Sequence, residues 1–368
     1  MRRIKILFFN LFLLFLFACA PVYTINHSAP VNPVSLPADE AAHYWAQEEW
    51  WYYTGHLKAE DGREFGYEVT FFKRITNEDN VPEIFIPIPA YWFKNVAMLG
   101  HFAVTDLQNN KFKAEEINDF VFNSSRADEK KYDLMIDTWT AREENGKHIL
   151  HAEMDGYTID LELEALKPAA FHEHDGIVNK GANRANYYYS FTNMKTSGTL
   201  TVDGQPLKVE GKSWTDHEYG TIKLAPSQSG WDWFSVRLDN NCELMIYLIR
   251  NDENGIIDAG FGTFVLPDGK AIRITKDDID IKSPDYWYSE HTEAKYPASW
   301  DITVKPLNLS LAVKPVFEAQ ELHLKPLPYW EGSVRISGTY NNMPVQGRGY
   351  VELVGYSKKY PLSFLKDE

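Results

Sequence analysis

The chain has almost no cysteine: Cys19 and Cys242 are the two in 368 residues. Cys242 opens an apolar run through Leu244, Met245, Ile246 and Leu248. It reads as a buried, inert thiol rather than a nucleophile. Basic charge is also scarce, with 37 Lys and Arg against 52 Asp and Glu, a net −15. That balance offers no cationic track for phosphates and argues against nucleic acid as a partner. No apolar run reaches the roughly 20 residues of a membrane-spanning helix. Long amphipathic helical periods are hard to find. Also missing are a Gly-x-Ser-x-Gly nucleophile setting, a phosphate loop and a complete metal-ligand set, so neither cofactor nor metal is expected.

The N-terminus does carry Arg2, Arg3 and Lys5 ahead of a short apolar run from Ile6 to Ala18. This is the pattern of a secretory signal. The run ends Leu16-Phe17-Ala18-Cys19, which resembles the lipobox of bacterial lipoproteins, although Phe17 departs from its usual form. The resemblance implies removal of residues 1–18 and acylation of Cys19, which anchors the protein in the cell envelope. Ala20 does not resemble an inner-membrane retention signal, so the outer membrane facing the periplasm is preferred. Processing takes three basic residues and no acidic one, leaving 52 acidic against 34 basic, a net −18. Residues 20–40, rich in proline and short polar residues, are expected to form an extended tether after the lipidated Cys19.

Beyond the tether the hydrophobic period is two nearly everywhere. Trp50–Leu57 and Phe65–Phe72 flank the turn Asp61-Gly62 and read as a hairpin. Similar units surround Asp155-Gly156, Asp203-Gly204, Asp268-Gly269 and Asn341-Asn342. Many short strands at this spacing predict an all-β sandwich or barrel. Trp50–Leu57 with its return strand also lies over Trp231–Leu238 with Glu243–Leu248, which predicts two copies of one β-domain. The boundary is placed in Leu224–Gly230, a Pro/Ser/Gly linker, giving domains over 41–224 and 225–358.

Several of these segments resemble the AttH-type predicted secreted hydrolases, a family related to carotenoid 1,2-hydratases. They are Glu49–Leu57, Gly66–Phe72, His101–Asp106, Tyr187–Ser190, Gly198–Val202, Ser213–Gly220 with Gly230–Phe234, Tyr329–Gly332 and Gly347–Leu353. The resemblance covers about 41–357 in order. It implies two lipocalin-like (calycin-type) antiparallel β-barrel domains packed together. It also implies a hydrophobic substrate or ligand in an aromatic cavity, since characterised relatives include hydratases of isoprenoid chains and cyclases of polyenes.

The densest polar cluster is Trp214-Thr215-Asp216-His217-Glu218. In an extended chain Trp214, Asp216 and Glu218 point one way and His217 the other. Two carboxylates near aromatics suit acid and base work, and water addition to an alkene needs such an acid. The competing reading is structural, with these groups caging backbone at a domain junction. Asp232, between Trp231 and Trp233, is either a further acid or a partner of a buried arginine such as Arg237 or Arg184. Trp51, Tyr53, His56, Tyr188, Trp214, Trp231 and Trp233 are candidate ligand contacts, with a structural role the plainer reading for His56. His172 and His174 stand at i, i+2 with no third ligand and read as a solvated loop rather than a metal site.

Two functions follow. The preferred one is an envelope lipoprotein whose lipocalin-like domains bind a lipid or isoprenoid-like molecule. A family habit of accompanying ABC-type exporters implies a transport role for it. The alternative is a hydrolase or hydratase acting on a hydrophobic substrate through Asp216, His217, Glu218 or Asp232.

Overall fold

A computed structural model describes residues 23–26, 28, 32–76, 96–119, 125–173, 175–181, 184–221, 224–251, 257–324, 327–360, 362 and 366. The leader, Cys19 and His174 lie outside the described residues. The strands of the first half are β1 (Glu48–Ala59), β2 (Glu64–Ile75), β3 (Val96–Asp106), β4 (Lys111–Asp119), β5 (Arg126–Ala127), β6 (Asp133–Ile136), β7 (Trp139–Glu144), β8 (Lys147–Met154), β9 (Tyr157–Ala165), β10 (Ala170–Phe171), β11 (Ile177–Gly181), β12 (Arg184–Val202) and β13 (Gln205–Gly220). Those of the second are β14 (Gln228–Leu238), β15 (Glu243–Asn251), β16 (Ile257–Val265), β17 (Ala271–Thr275), β18 (Ile279–Lys282), β19 (Tyr286–Tyr288), β20 (Lys295–Pro297), β21 (Trp300–Val304), β22 (Leu309–Pro315), β23 (Glu321–Leu322), β24 (Tyr329–Tyr340) and β25 (Met343–Val354).

Among the described residues these strands make two large antiparallel sheets and one small hairpin. The first sheet runs β4-β3-β2-β1-β13-β12-β9-β8-β7-β6-β5 and the second β17-β16-β15-β14-β25-β24-β22-β21-β18. The two orders match strand for strand from the outer edge inward. In each, the opening Trp-rich strand pairs with its own return strand and with the last strand of its half. The turns expected from Asp-Gly and Asn-Asn all fall between paired strands, with Gly62, Gly156, Gly204 and Gly269 at positive φ. The strands around Asp203-Gly204 are longer than their sequence pattern, because β12 and β13 pair along 15 described positions.

Each sheet curls onto itself as a barrel or half-barrel. Inside the first, Trp139 of β7 meets Phe102 of β3 edge to face at 5.8 Å. Its ring also lies over Gly100, where a Cβ would come within 2.9 Å of an indole carbon. Trp51, Tyr53, Leu57, Phe65, Val69 and Phe71 fill the same interior. A separate core around Phe234, Trp300, Ile302, Val334 and Val351 fills the second. The barrel interiors are therefore packed with side chains.

The outer faces of β1, β12 and β13 meet those of β14, β15, β24 and β25. A third apolar cluster, with Tyr52, Tyr188, Trp214, Trp233, Tyr247, Phe261, Tyr329 and Tyr350, is buried in this seam. Residues 32–40, expected as extended tether, are instead docked on the first barrel. Val34 donates its N–H to the Asp175 carbonyl at 3.0 Å, and Trp51 Nε1 donates to the Glu40 carbonyl at 3.1 Å. Val34 and Leu36 cover the aromatic patch of Tyr189 and Tyr219, which favours docking over free chain.

Candidate active site

The alternation of β13 sends Trp214, Asp216 and Glu218 into the seam and His217 into the first barrel, as the sequence predicts. Register then builds a polar row across five strands of the first sheet. Tyr52 lies opposite Asp216 and Thr70, Thr70 opposite His101, and Asp216 opposite Ser190. The second sheet faces it with a row of its own, in which Trp233 lies opposite Tyr247 and Glu352, and Glu352 opposite Glu331.

Asp216 is 2 % exposed. Its carboxyl accepts hydrogen bonds from Tyr188, Ser190 and Trp214, the last at 2.5 Å. Burial pushes its pKa up to about 7 although these three donors pull it down. Three further carboxyls share the seam. Burial, with help from neighbouring carboxyls, raises Glu68 and Glu331 well above the usual range and takes Glu352 to about 8. Tyr52 of the first barrel donates to Glu331 of the second at 2.5 Å. Trp231 hydrogen-bonds Glu352.

Glu218 is in a different position. Lys180 Nζ contacts its Oε1 at 2.8 Å, and Asn186 Nδ2 donates to it at 2.8 Å. The same ammonium sits 3.6 Å from the Tyr247 ring centre, a buried cation–π contact. Burial lowers the Lys180 pKa and Glu218 opposes that fall. Among the described residues Asp216, Glu68, Glu331 and Glu352 have no contact ion pair of this kind, and burial favours the protonated form of each.

A relay backs Asp216. Ser190 donates to the carboxyl, and His172 Nε2 lies 2.7 Å from Ser190 Oγ while Nδ1 lies 2.8 Å from Thr263 Oγ1. Because the serine proton goes to Asp216, His172 Nε2–H must donate to Ser190 and Nδ1 must accept from Thr263. Burial holds the His172 pKa down at about 3, so the ring is neutral. His172 is thus fully buried, a correction to the solvated loop expected there; its Phe171 neighbour joins β10 and draws it into the seam.

The other sequence candidates separate. His56 is in the seam, where Nδ1 accepts from Arg237 at 2.9 Å and Nε2 meets Ser333 Oγ at 2.9 Å. Trp51 and Tyr53 are not in the seam. Trp51 stacks on His217 at 4.7 Å within the first barrel, and Tyr53 hydrogen-bonds Tyr132 and His148 there. Asp232 faces the interior of the second barrel, bonded to Arg250 at 3.0 Å and to Tyr356 at 3.0 Å. That is the buried arginine pairing, with Arg250 as the partner where Arg237 was a candidate, while the Arg184 side chain lies outside the described residues. Glu68, Lys180, Glu331 and Glu352 were not singled out from sequence. Their signal is a lone charge within an otherwise apolar or aromatic strand, as in Trp330-Glu331-Gly332.

Two grooves border the seam. One of about 610 Å³ runs between Phe112 and Ala114 of β4 and Trp287, Tyr288, Glu321 and Leu324 of the second half. The other, about 740 Å³, is lined by His56, Lys212, Arg237 and Arg348 among others.

A family model described as AttH-like matches residues 27–356 of the chain. The chain belongs to the AttH-like family. Among solved structures, this AttH-like chain is similar to a Nitrosomonas europaea protein assigned to AttH. The TM-score is 0.79 and the identity 26 %, over 91 % of this chain and 100 % of that one. The fold also matches a kievitone hydratase from Nectria haematococca, with TM-score 0.70 and 15 % identity over 92 % and 98 % of the two chains. In sequence it is 25 % identical over 246 residues to a kievitone hydratase of Fusarium solani subsp. phaseoli, covering 63 % of this chain and 66 % of that relative. A hydratase among the relatives backs the enzymatic alternative better than the lipid-transport reading preferred from the sequence.

Proposed function

We propose that this AttH-like protein is a hydratase that adds water to a carbon–carbon double bond of a hydrophobic, isoprenoid-like substrate held at the seam between its barrels. The observation that carries the proposal is the set of buried carboxyls at Asp216, Glu68, Glu331 and Glu352, whose burial raises their pKa values and favours the protonated form. An alkene is protonated on carbon only by an acid that still has its proton and is shielded from bulk water.

In this reading Asp216 delivers the proton, and the alkene's electron pair takes it to form a C–H bond and a carbocation. The faces of Trp214, Trp233 and Tyr188 stabilise the positive charge. Water then forms the C–O bond and loses a proton to the carboxylate, restoring the acid. Tyr188 and Ser190 hold the carboxyl in place. The groove between Phe112 and Trp287 is the approach, because Phe112, Ala114 and Leu324 continue from its wall into the apolar cluster of the seam.

Export and acylation at Cys19 complete the proposal, placing an enzyme for apolar molecules beside a lipid surface. The test is incubation of the purified protein with a panel of prenylated phenols and linear isoprenoid alkenes, kievitone included. Mass spectrometry should find a hydrated product in at least one case. No hydrated product from any member of the panel, with a lipid co-purifying in defined stoichiometry, would return the protein to a binding role.

A further inference from the structure

A second polar cluster lies away from the seam, in the mouth of the first barrel, and it has the donor set of a metal centre. His43 comes from the segment ahead of β1, Glu49 from β1 and His217 from β13. His43 Nδ1 and His217 Nε2 each lie 2.8 Å from Glu49 Oε1. One ligand atom from each of the three residues falls within 4.8 Å of the others. We propose that these residues bind one divalent metal ion, with zinc the class that two imidazoles and a carboxylate suit best.

The surrounding atoms are arranged as such a site requires. A ligating histidine needs a partner on its second ring nitrogen, which fixes the tautomer and aims the free lone pair at the ion. His43 Nε2 has Asp39 at 3.5 Å, and His217 Nδ1 has the Tyr189 hydroxyl at 3.0 Å. Tyr189 directs its own proton toward the Asp39 carbonyl, so its oxygen is available to accept. Glu49 Oε2 is occupied by the His43 backbone N–H at 2.9 Å and by Lys73 Nζ at 3.2 Å. Only Oε1 is left for an ion, and both imidazoles converge on it.

The local charge favours a cation, since Asp39 and Glu49 bring two negative charges against the one positive charge of Lys73. An ion replaces the protons between the rings and Oε1, and those protons move to the outer ring nitrogens or leave to solvent. Ligand atoms around a tetrahedral zinc at ~2.0–2.1 Å stand ~3.3 Å apart, so the 2.8 Å contacts need to open by only about half an ångström. His43 is at the rim, 12 % exposed in its side chain, which gives the ion an entry. Bound there, it would clip the segment before β1 to the barrel wall. No sequence pattern marks this set, because its members are separated by up to 174 positions and none is within a recognisable spacing of another.

The test is a calorimetric titration of the tag-free, chelator-stripped full chain with Zn²⁺, repeated with Co²⁺ to read its visible absorption. One equivalent should bind per chain, with a raised thermal midpoint. His43→Gln, a conservative change at the rim, should weaken binding at least about tenfold, while His323→Ala, in the groove lined by Phe112 and Trp287, should not. Absence of saturable binding in the wild type overturns the proposal. So does binding left unchanged by His43→Gln. If that variant does not fold, X-ray absorption on the cobalt-loaded wild type decides: two imidazole ligands support the site, and fewer contradict it.

Discussion

Trp233 of the second barrel donates its indole N–H to the Tyr188 hydroxyl of the first at 2.9 Å, and Tyr188 in turn donates to Asp216. The acid is therefore oriented by a residue of the other domain. Trp233→Phe keeps the ring and removes the donor. It should lower turnover of a hydrated substrate while costing about 1 kcal/mol of stability. Paired urea titrations and turnover assays check this. A loss of stability with unchanged turnover would make the bond purely structural.

Asp216→Asn should reduce turnover by about 100- to 10,000-fold, the usual contribution of a positioned acid. Asp232→Asn should leave turnover near wild type, because Asp232 faces Arg250 inside the second barrel. Steady-state rates for the two variants side by side separate these expectations.

Asp216 also predicts a pH dependence of stability. Its folded pKa is about 7 against an ordinary 3.8. Between those values the folded state holds a proton that the unfolded chain has released. The stability this contributes is fully present below pH 3.8 and is lost as pH rises through about 7. Wild type minus Asp216→Asn should fall with pH in that window by up to about 1.4 kcal/mol per pH unit. Urea midpoints across the window give the slope, and a flat difference contradicts it.

Lys180→Met leaves Glu218 buried without its cation. Removing one member of a buried pair costs roughly 3–5 kcal/mol. Lys180→Met with Glu218→Gln should recover most of the loss, which thermal denaturation of the single and double variants measures.

Cys19→Ser should move the protein from the membrane to the soluble fraction of the envelope. Retention in the membrane fraction would overturn the anchor.

The strands and their facing were legible because a period of two survives almost any environment. It places Asp216 and Glu218 on one face and His217 on the other. The duplication was legible from the two Trp-rich hairpins, since each opens its sheet. What period cannot give is which outer faces meet. Glu331 and Glu352 stand in strands more than 100 residues beyond Asp216, and only the packing of barrel on barrel brings them together. For the same reason Trp51 and Tyr53 looked equivalent to Tyr188. Alternation assigns them to a face, and whether that face is a filled barrel or a seam depends on tertiary packing. His172 opens a polar stretch, His172-Glu173-His174-Asp175, and reads as loop, but the pairing of the adjacent β10 draws it into the seam.

The central claim is that the seam holds protonated carboxyls at neutral pH. The carbonyl stretch of protonated carboxyl groups in the infrared spectrum measures this without a substrate. The account predicts such a band at neutral pH, weakened by Asp216→Asn and by Glu352→Gln, with the parts removed by these two substitutions being those lost as pH rises through about 7 to 8. A spectrum with no protonated-carboxyl band at neutral pH, in wild type that is folded, would contradict it.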